Sequence, residues 1–301
     1  MTILAKPNGK YRVAFPFTEL SLLLVAIFWG TSYGLTKEAL LYTPVLLFIV
    51  IRFSLTGLCL LPIAVRDINQ GLSKDWKVAI PTGGILSAIF FFEVYGVLQT
   101  TASNAAFLIS LSVILTSFAE FFINGKRISN RMILLTLLSV VGVFLLTQSG
   151  SIGFTLNTGD YFILIAAVLR AIMVTATKRL TIGKVISNTT LTCLQSMVVA
   201  LSALLAACFT VDLSAFTLPT EYGFWLIVIY LVMFCTLFAF YVQNYAVRKI
   251  SPTRASLLMG SEPLFGALFA MLWLGESLSV VQLFGGMVIL ACVILASVKA
   301  D

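Results

Sequence analysis

The chain contains no histidine, and this absence excludes two kinds of chemistry at once. Without histidine there is no imidazole base and no H-E-x-x-H zinc-protease motif. The sequence also has no G-x-x-x-x-G-K-S/T loop, so it encodes no nucleotide hydrolysis of the P-loop kind. Its five cysteines are scattered without metal-site spacing, and we interpret them as small apolar residues. We therefore expect no catalytic residues, no metal and no cofactor.

Charged residues are scarce as well. They make up 10% of the 301 residues, while hydrophobic residues make up 60%, and the mean hydropathy is +1.06. No soluble domain of this length has that composition. Ten mostly apolar stretches, each long enough to cross a bilayer, lie at 18–37, 44–65, 77–98, 103–123, 131–148, 159–178, 188–208, 223–246, 253–274 and 279–298. The sequence predicts an all-α membrane protein with ten transmembrane helices in a lipid bilayer.

The basic residues predict the orientation of these spans. Sixteen of the nineteen lie in the termini and in alternate loops, all on one side of the membrane. Because such residues accumulate on the cytoplasmic side, we expect both termini in the cytoplasm and a multi-pass protein of the plasma membrane, or of the inner membrane in a Gram-negative cell. The net charge of +7 then needs no nucleic-acid partner. Only Lys37, Arg52 and Arg170 fall outside this pattern.

The order of the spans predicts an internal repeat. Five spans precede the segment at 149–158 and five follow it, and an odd number per half inverts the second half relative to the first. The expected parts are a cytoplasmic tail at 1–17, a first repeat at 18–148, an outer linker at 149–158 and an inverted second repeat at 159–298.

A shift of 150 residues aligns the two halves. It places Tyr95 on Tyr245 and Gly125 on Gly275, with the span boundaries aligned without gaps. Lys37 and Lys178 also end the first and sixth spans comparably, at a different offset. Inverted repeats are typical of secondary transporters, which bind substrate near the midplane between the repeats. We therefore expect a central cavity.

Two segments carry a resemblance to a known family. With ten spans as 5+5, the early FWGTSYGLTKEAL and the late SPTRASLLMGSEPLFGALFAMLWLGESLSVVQLFGG resemble the EamA family of the drug/metabolite transporter superfamily. The resemblance covers essentially the whole chain. It implies a helix bundle around a central cavity, alternating access, and commonly the export of amino acids, other metabolites or toxic organic compounds.

The first half departs from the family pattern at two positions. Val113 stands where a proline is expected in the fourth span, and Lys126 stands where a glutamate is expected after Gly125. These departures predict a straight fourth helix and a differently closed outer gate.

Charged residues within spans are the first candidates for a substrate site, because such charges are costly unless they face the bundle or a wet cavity. Glu262 precedes Pro263 in the ninth span, beside a weakened helical turn, and suits a substrate amine or a proton. Arg52 and Arg170 suit a substrate carboxylate. The alternative for both arginines is a structural ion pair with Glu93 or Glu262. Glu93 is also a candidate proton carrier.

Uncharged polar residues complete the prediction. The expected substrate-binding set is Trp29, Tyr33, Arg52, Glu93, Tyr95, Asn104, Ser110, Arg170, Asn244 and Glu262, and the expected coupling or gating set is Lys37, Gln243 and Pro263. For Gln243 and Asn244 the alternative is interhelical hydrogen bonding. For Glu120, nearer the cytoplasmic end of its span, we expect snorkelling or a local ion pair.

These features together favour a secondary active transporter, an exporter of small metabolites such as amino acids that works by alternating access, with proton coupling or exchange. The alternative is efflux of drugs and other toxic organic compounds. A membrane enzyme or a channel is disfavoured, because neither paired catalytic carboxylates nor a pore-lining motif is visible. Gly285 and Gly286 allow close helix packing within one protomer or, alternatively, a homodimer.

Overall fold

The computed structural model describes residues 17–125, 127–147, 156–210, 217–273 and 278–297. The expectations for most of the tail at 1–17 and of the linker at 149–158, and for Lys126 and Gly275, lie outside the described residues. Helices joined by short connections make up the described part of the chain, which contains no β-strand. The protein is an all-α, multi-pass membrane protein.

Helical segments follow one another along the described ranges. They are α1 (Phe17–Ala39), α2 (Val45–Asn69), α3 (Ala79–Gln99), α4 (Ala102–Ser110), α5 (Ser112–Asn124), α6 (Asn130–Thr147), α7 (Thr158–Thr181), α8 (Asn188–Thr210), α9 (Tyr222–Tyr230), a π-helical segment (Leu231–Phe238), α10 (Ala239–Lys249), α11 (Pro252–Met259), α12 (Glu262–Trp273) and α13 (Val280–Ser297). A 3₁₀ turn at Trp76–Val78 precedes α3.

Eight segments of the described chain are long and apolar enough to cross a membrane, from Phe17–Ala39 to Tyr222–Lys249. They correspond to the first eight predicted spans. The ninth predicted span is divided between α11 and α12, and the tenth contains the shorter apolar stretch Val280–Ala296. The ten-helix 5+5 arrangement therefore stays a prediction.

Two of the apolar segments are interrupted in their middle. In the fourth predicted span, α4 ends at Ser110 and α5 begins at Ser112, while Leu111 between them keeps helical dihedral angles (φ −60°, ψ −19°), so the straightness of the fourth helix stays a prediction. The Ser110 hydroxyl donates to the carbonyl oxygen of Phe107 at 2.6 Å, and such back-bonding competes with the helical ladder. The ninth predicted span is interrupted at Gly260 and Ser261, before Glu262 begins α12.

Glycines let the helices around the centre approach closely. A Cβ atom on Gly30 of α1 would lie 2.6 Å from the carbonyl oxygen of Glu262, and one on Gly266 would lie 2.9 Å from that of Gly30. Because glycine has no Cβ, the backbones of α1 and α12 touch here. This contact brings Tyr33, about one turn after Gly30, beside the start of α12.

Gly285 has a comparable role on the far side of the bundle. A Cβ atom on Gly285 of α13 would lie 2.5 Å from the carbonyl oxygen of Gly142 of α6. The Gly285 backbone is therefore covered within the same chain, as the single-protomer interpretation of this glycine expects.

Candidate functional site

A cavity of about 30 Å³ lies at the centre of the bundle. That volume holds the centres of only one or two water molecules, so the cavity is too small for a metabolite in this structure. Six helices contribute its walls, which are formed by Trp29, Ser32, Tyr33, Arg52, Leu86, Ile89, Phe90, Glu93, Arg170, Met173, Phe240, Gln243 and Glu262. Seven predicted site residues meet there: Trp29, Tyr33, Arg52, Glu93, Arg170, Gln243 and Glu262.

An ion pair between α7 and α12 forms one side of the cavity. The Arg170 Nη2 atom lies 2.6 Å from Glu262 Oε1, and both side chains are almost completely buried. The Tyr33 hydroxyl donates to Glu262 Oε2 at 3.1 Å. The Arg170 guanidinium also stacks over Trp29, 4.3 Å from the ring centroid. Of the two acids proposed as partners for the arginines, Glu262 is the one that Arg170 contacts.

The π-helical segment binds two residues of the cavity wall, Trp29 and Arg52. Its residue Cys235 accepts the indole N–H of Trp29 at 2.8 Å with its carbonyl oxygen. The neighbouring Thr236 accepts the Nε–H of Arg52 at 2.7 Å and donates to the carbonyl oxygen of Leu231 at 2.9 Å. π-helical turns occur frequently at functional sites, and this one orients two cavity residues.

Arg52 has a different environment from Arg170. Its guanidinium lies 5.2 Å from the ring centroid of Phe90 and 5.9 Å from that of Phe53. Within the described residues, no carboxylate lies within ion-pair distance of Arg52. The structural ion pair considered for this arginine is therefore absent from the described part of the protein.

Glu93 and Gln243 present polar groups to the cavity that the described residues leave without a hydrogen-bond partner. The side chain of Glu93 is half-buried and that of Gln243 is buried, and both line the cavity. A carboxylate accepts hydrogen bonds, whereas an amide both donates and accepts them. Together with Arg52, these groups can bind a small polar molecule.

The remaining predicted site residues lie away from the cavity. The Asn244 Nδ2 atom donates to Thr192 Oγ1 at 2.9 Å and to Gln195 Oε1 at 2.8 Å. Asn244 therefore links α10 to α8, which is the interhelical hydrogen bonding considered as the alternative for this residue. Asn104 is exposed, and Tyr95 packs against the apolar core.

Three more of these predicted site residues lie at or near helix ends. Pro263 occupies the first turn of α12, where its missing N–H costs no helical bond. Ser110 marks the interruption after α4. Lys37 Nζ donates to the carbonyl oxygen of Thr100 at 2.7 Å, at one end of the bundle.

Glu120 corrects a further expectation. Its side chain is buried, and Oε2 accepts the backbone N–H of Thr253 at 2.9 Å and the Thr253 hydroxyl at 2.5 Å. A carboxylate at a helix N-terminus satisfies free N–H groups and interacts favourably with the helix dipole. Glu120 of α5 therefore caps α11 instead of snorkelling.

The cavity also has walls that the sequence reasoning missed. They are Ser32, Leu86, Ile89, Phe90, Met173 and Phe240. Thr236, which supports Arg52, was missed as well. On α3, three of these wall residues precede Glu93 by three, four and seven residues, which is the spacing of one helical face. These three wall residues could have been predicted from the position of Glu93. The role of Thr236 could not be predicted from the sequence, because it depends on the π-helical segment.

Comparisons with known proteins agree with a membrane transporter. The model of the EamA-like transporter family matches the chain twice, at residues 16–148 and 157–298. An "uncharacterized transporter" of Archaeoglobus fulgidus is 27% identical over 302 residues, covering 99% of this chain and 92% of its own length. A second one from the same organism is 23% identical over 290 residues, covering 94% and 98%. A solved crystal structure has a TM-score of 0.75 at 16% identity, over 93% of this chain and 96% of its own, and shows a shared fold.

Proposed function

The chain belongs to the EamA-like transporter family, and we propose that it is a secondary active transporter that exports small zwitterionic metabolites such as amino acids. The observation that carries this proposal is the charge of the central cavity. Two arginines and two glutamates line it, and one of each is already committed to the ion pair between Arg170 and Glu262.

The two remaining charges match the two ends of an amino acid. Glu93 offers a carboxylate to an ammonium group, and the free edge of the Arg52 guanidinium offers paired donors to a carboxylate. A cavity with balanced charges favours a zwitterion over a net anion or a net cation, since either would leave one cavity charge unpaired and buried.

The apolar walls extend the match to the substrate side chain. Phe90, Phe240 and Met173 line the same cavity as the charged groups, and the rings of Phe90 and Phe240 contact each other edge-on with centroids 5.8 Å apart. Such walls stabilise an apolar or aromatic group by removing it from water. Neutral amino acids with apolar side chains are therefore the substrates we propose.

The size of the cavity supports alternating access. A volume of about 30 Å³ is far smaller than the pockets of several hundred Å³ that bind small molecules. An amino acid can occupy the site only after one end of the bundle opens. Glu93, which has no partner among the described residues, suits an exchange of a proton for the substrate ammonium group, and thereby proton coupling.

The inverted 5+5 repeat is part of the proposal. The family model matches each half separately. The interruption between Ser110 and Ser112 corresponds, at the shift of 150 residues, to that between Gly260 and Glu262. With α12 and α13 counted as the ends of the ninth and tenth spans, both halves have five spans. The basic residues then place both termini in the cytoplasm.

Counterflow in proteoliposomes tests the substrate class. We expect saturable exchange of labelled neutral amino acids, and a loss of at least about tenfold in Glu93→Gln and in Arg52→Gln, because each removes an ionised hydrogen-bonding partner. Glu38→Gln is the matched control, since Glu38 is an exposed carboxylate outside the cavity. Imposing a pH gradient measures coupling, which Glu93→Gln should abolish.

Transport of lipophilic organic cations without exchange of amino acids would instead support efflux of toxic compounds and contradict the proposed substrate. Full amino-acid exchange by both cavity variants would contradict the assigned site.

A further inference from the structure

Two helix junctions at opposite ends of the bundle have the same backbone geometry. Thr100 follows α3 with φ −121° and ψ 179°, and Ile250 follows α10 with φ −110° and ψ 175°. Each residue is followed directly by an N-cap, Thr101 for α4 and Ser251 for α11. Since α4 and α11 are the first parts of the two interrupted segments, each junction is the point from which a short helix can swing.

A lysine closes each junction. At the Thr100 end, Lys37 Nζ donates to the carbonyl oxygen of Thr100 at 2.7 Å. At the Ile250 end, Lys178 Nζ donates to the carbonyl oxygens of Ile250 at 3.3 Å and Arg248 at 2.9 Å. The last carbonyls of a helix have no intrahelical partner and attract cations, so both lysines stabilise the closed position of the junction.

The two lysines occupy corresponding positions. Lys37 lies in the last turn of α1, and Lys178 lies in the last turn of α7. The same shift of 141 residues places Lys37 on Lys178 and Glu19 on Asp160. Glu19 and Asp160 lie in the first turns of α1 and α7, so both helices carry an acid at their start and a lysine at their end.

Each acid contacts the junction opposite to the one that the lysine of its own helix contacts. Asp160 Oδ1 accepts the hydroxyl of Thr100 at 2.5 Å. Glu19 Oε1 lies 2.9 Å from Arg254 Nη2 in the first residues of α11. Each junction is thus contacted by the end of one of these helices and by the start of the other.

The same two helices meet at the centre of the cavity. Tyr33 of α1 and Arg170 of α7 both bind the carboxylate of Glu262. Lys37 lies one helical turn beyond Tyr33, about 6 Å along the axis, and Lys178 lies two turns beyond Arg170, about 12 Å. A shift of α1 or α7 at the cavity therefore moves the lysine at its end.

We propose that Lys37 and Lys178 are opposed latches that decide which end of the central cavity opens. Lys37 holds the Thr100 end closed, and Lys178 holds the Ile250 end closed. Both are engaged in this structure, in agreement with its small cavity. Transport requires that they release in turn. A substrate that binds at Arg52 and Glu93 lies in the same cavity as the Arg170–Glu262 pair, and through this pair it acts on α1 and α7 and on the latches at their ends. This inference rests on the proposed alternating access but not on the identity of the substrate.

Labelling from each side of the membrane tests the latches. The reporter is Ser32→Cys, in the cavity wall, in a background without the five native cysteines, and the probe is a membrane-impermeant maleimide. Lys37→Met should raise labelling from the Thr100 side about tenfold, the effect of losing one charge-assisted hydrogen bond. Lys178→Met should raise it to a similar extent from the Ile250 side only. Under the proposed orientation, these are the outer and the cytoplasmic side.

Matched controls separate a latch from a general loss of charge. Lys249 is exposed, and its Nζ donates to the hydroxyl of Tyr245 in the same helix, so Lys249→Met should leave labelling unchanged. Glu38→Gln serves the same purpose at the other end. Lys37→Arg and Lys178→Arg keep a donor and should restore most of the closed state.

Hydrogen exchange of the protein with its native cysteines gives a second readout if the reporter background does not fold. Lys37→Met should speed exchange in α4 and leave α11 unchanged, and Lys178→Met should do the reverse. Equal increases at both ends in both variants, or no increase in either, would overturn the proposal.

The two proposals fail in distinguishable ways. If labelling follows the expected pattern but no amino acid is transported, the latches stand and the substrate class is wrong. If the two sides are exchanged, the latches stand and the proposed orientation is wrong.

Discussion

The two interrupted segments show what a break in a membrane helix needs and what it does not. α4 and α5 are separated at Leu111, and α11 and α12 are separated at Gly260 and Ser261. Pro263 follows only the second interruption, while Val113 stands at the corresponding position of the first. The break therefore does not require proline. What differs is the charge, since Glu262 begins α12 and the uncharged Ser112 begins α5.

This difference divides the cavity between the halves. The second half supplies an ion pair that is already satisfied, between Arg170 and Glu262. The first half supplies Arg52 and Glu93, which form no ion pair with each other or with any other described residue. The fixed pair is satisfied within the protein, and the unpaired groups of the other half are the ones that we propose bind substrate.

Removing the charge at the second break should have the largest effect. Glu262→Ala leaves the Arg170 guanidinium buried without its carboxylate, and breaking a buried pair in this way costs about 3–5 kcal/mol. Ser112→Ala, at the corresponding position of the first half, should cost no more than about 0.5 kcal/mol. Thermal unfolding of the purified variants measures both. Equal losses would show that the two breaks do not differ in the way described.

Overpacking the contact between the two breaks should have an intermediate effect on the stability of the protein. A Cβ atom on Gly260 would clash with Cγ2 of Val113, so Gly260→Ala overpacks the site and should destabilise the protein by about 1–3 kcal/mol. Gly84→Ala is the control, because no atom lies within 4 Å of its added Cβ.

Adding Val113→Ala should restore most of the stability lost in Gly260→Ala, since it removes the clashing methyl groups. A double-mutant cycle measures this coupling. Additive losses would contradict direct packing of one break on the other.

The smallest effect on stability should come from removing a loop contact between the two halves. The backbone N–H of Val185 donates to Asp75 Oδ2 at 2.8 Å, and together with Lys184 it lowers the pKa of Asp75 below its usual value. A carboxyl with a lowered pKa stabilises the fold above its unfolded pKa of about 4, and this contribution is lost as pH falls through the folded value.

Below about pH 4, the thermal unfolding midpoint of the parent protein should therefore decrease slightly. In Asp75→Asn this decrease of the thermal midpoint at low pH should be missing. The variant keeps the neighbouring Asp67 carboxylate, which accepts a hydrogen bond from Ser187. Identical acid profiles of the two proteins would exclude the assigned role of Asp75.

Parts of the site could be predicted because their physical cause is local. A charge within an apolar span must face the interior, and this rule found Arg52, Glu93, Arg170 and Glu262, all of which line the cavity. Composition and span length predicted an all-α membrane protein for the same reason. Asn244, Asn104 and Tyr95 were less predictable, because a polar residue in a span serves equally well as interhelical glue or as a ligand.

Other features depend on contacts between distant parts of the chain. The cap that Glu120 provides for α11 joins residues 133 positions apart. The support that Thr236 gives to Arg52 depends on a π-helical segment and joins residues 184 positions apart. The one-residue interruption at Leu111 was not foreseen because the sequence argument considered only the missing proline, whereas Ser110 and the packing of Val113 also act there.

The sequence by itself determined that this chain is a helical membrane protein with a few charges buried at its centre, because apolar length and the cost of intramembrane charge are properties of each segment alone. The tertiary structure decided which charges pair. Arg170 and Arg52 are the same residue type in similar apolar spans, yet among the described residues only Arg170 meets a carboxylate. The reason is that glycine contacts bring α12 against α1 and so place Glu262 within reach of α7.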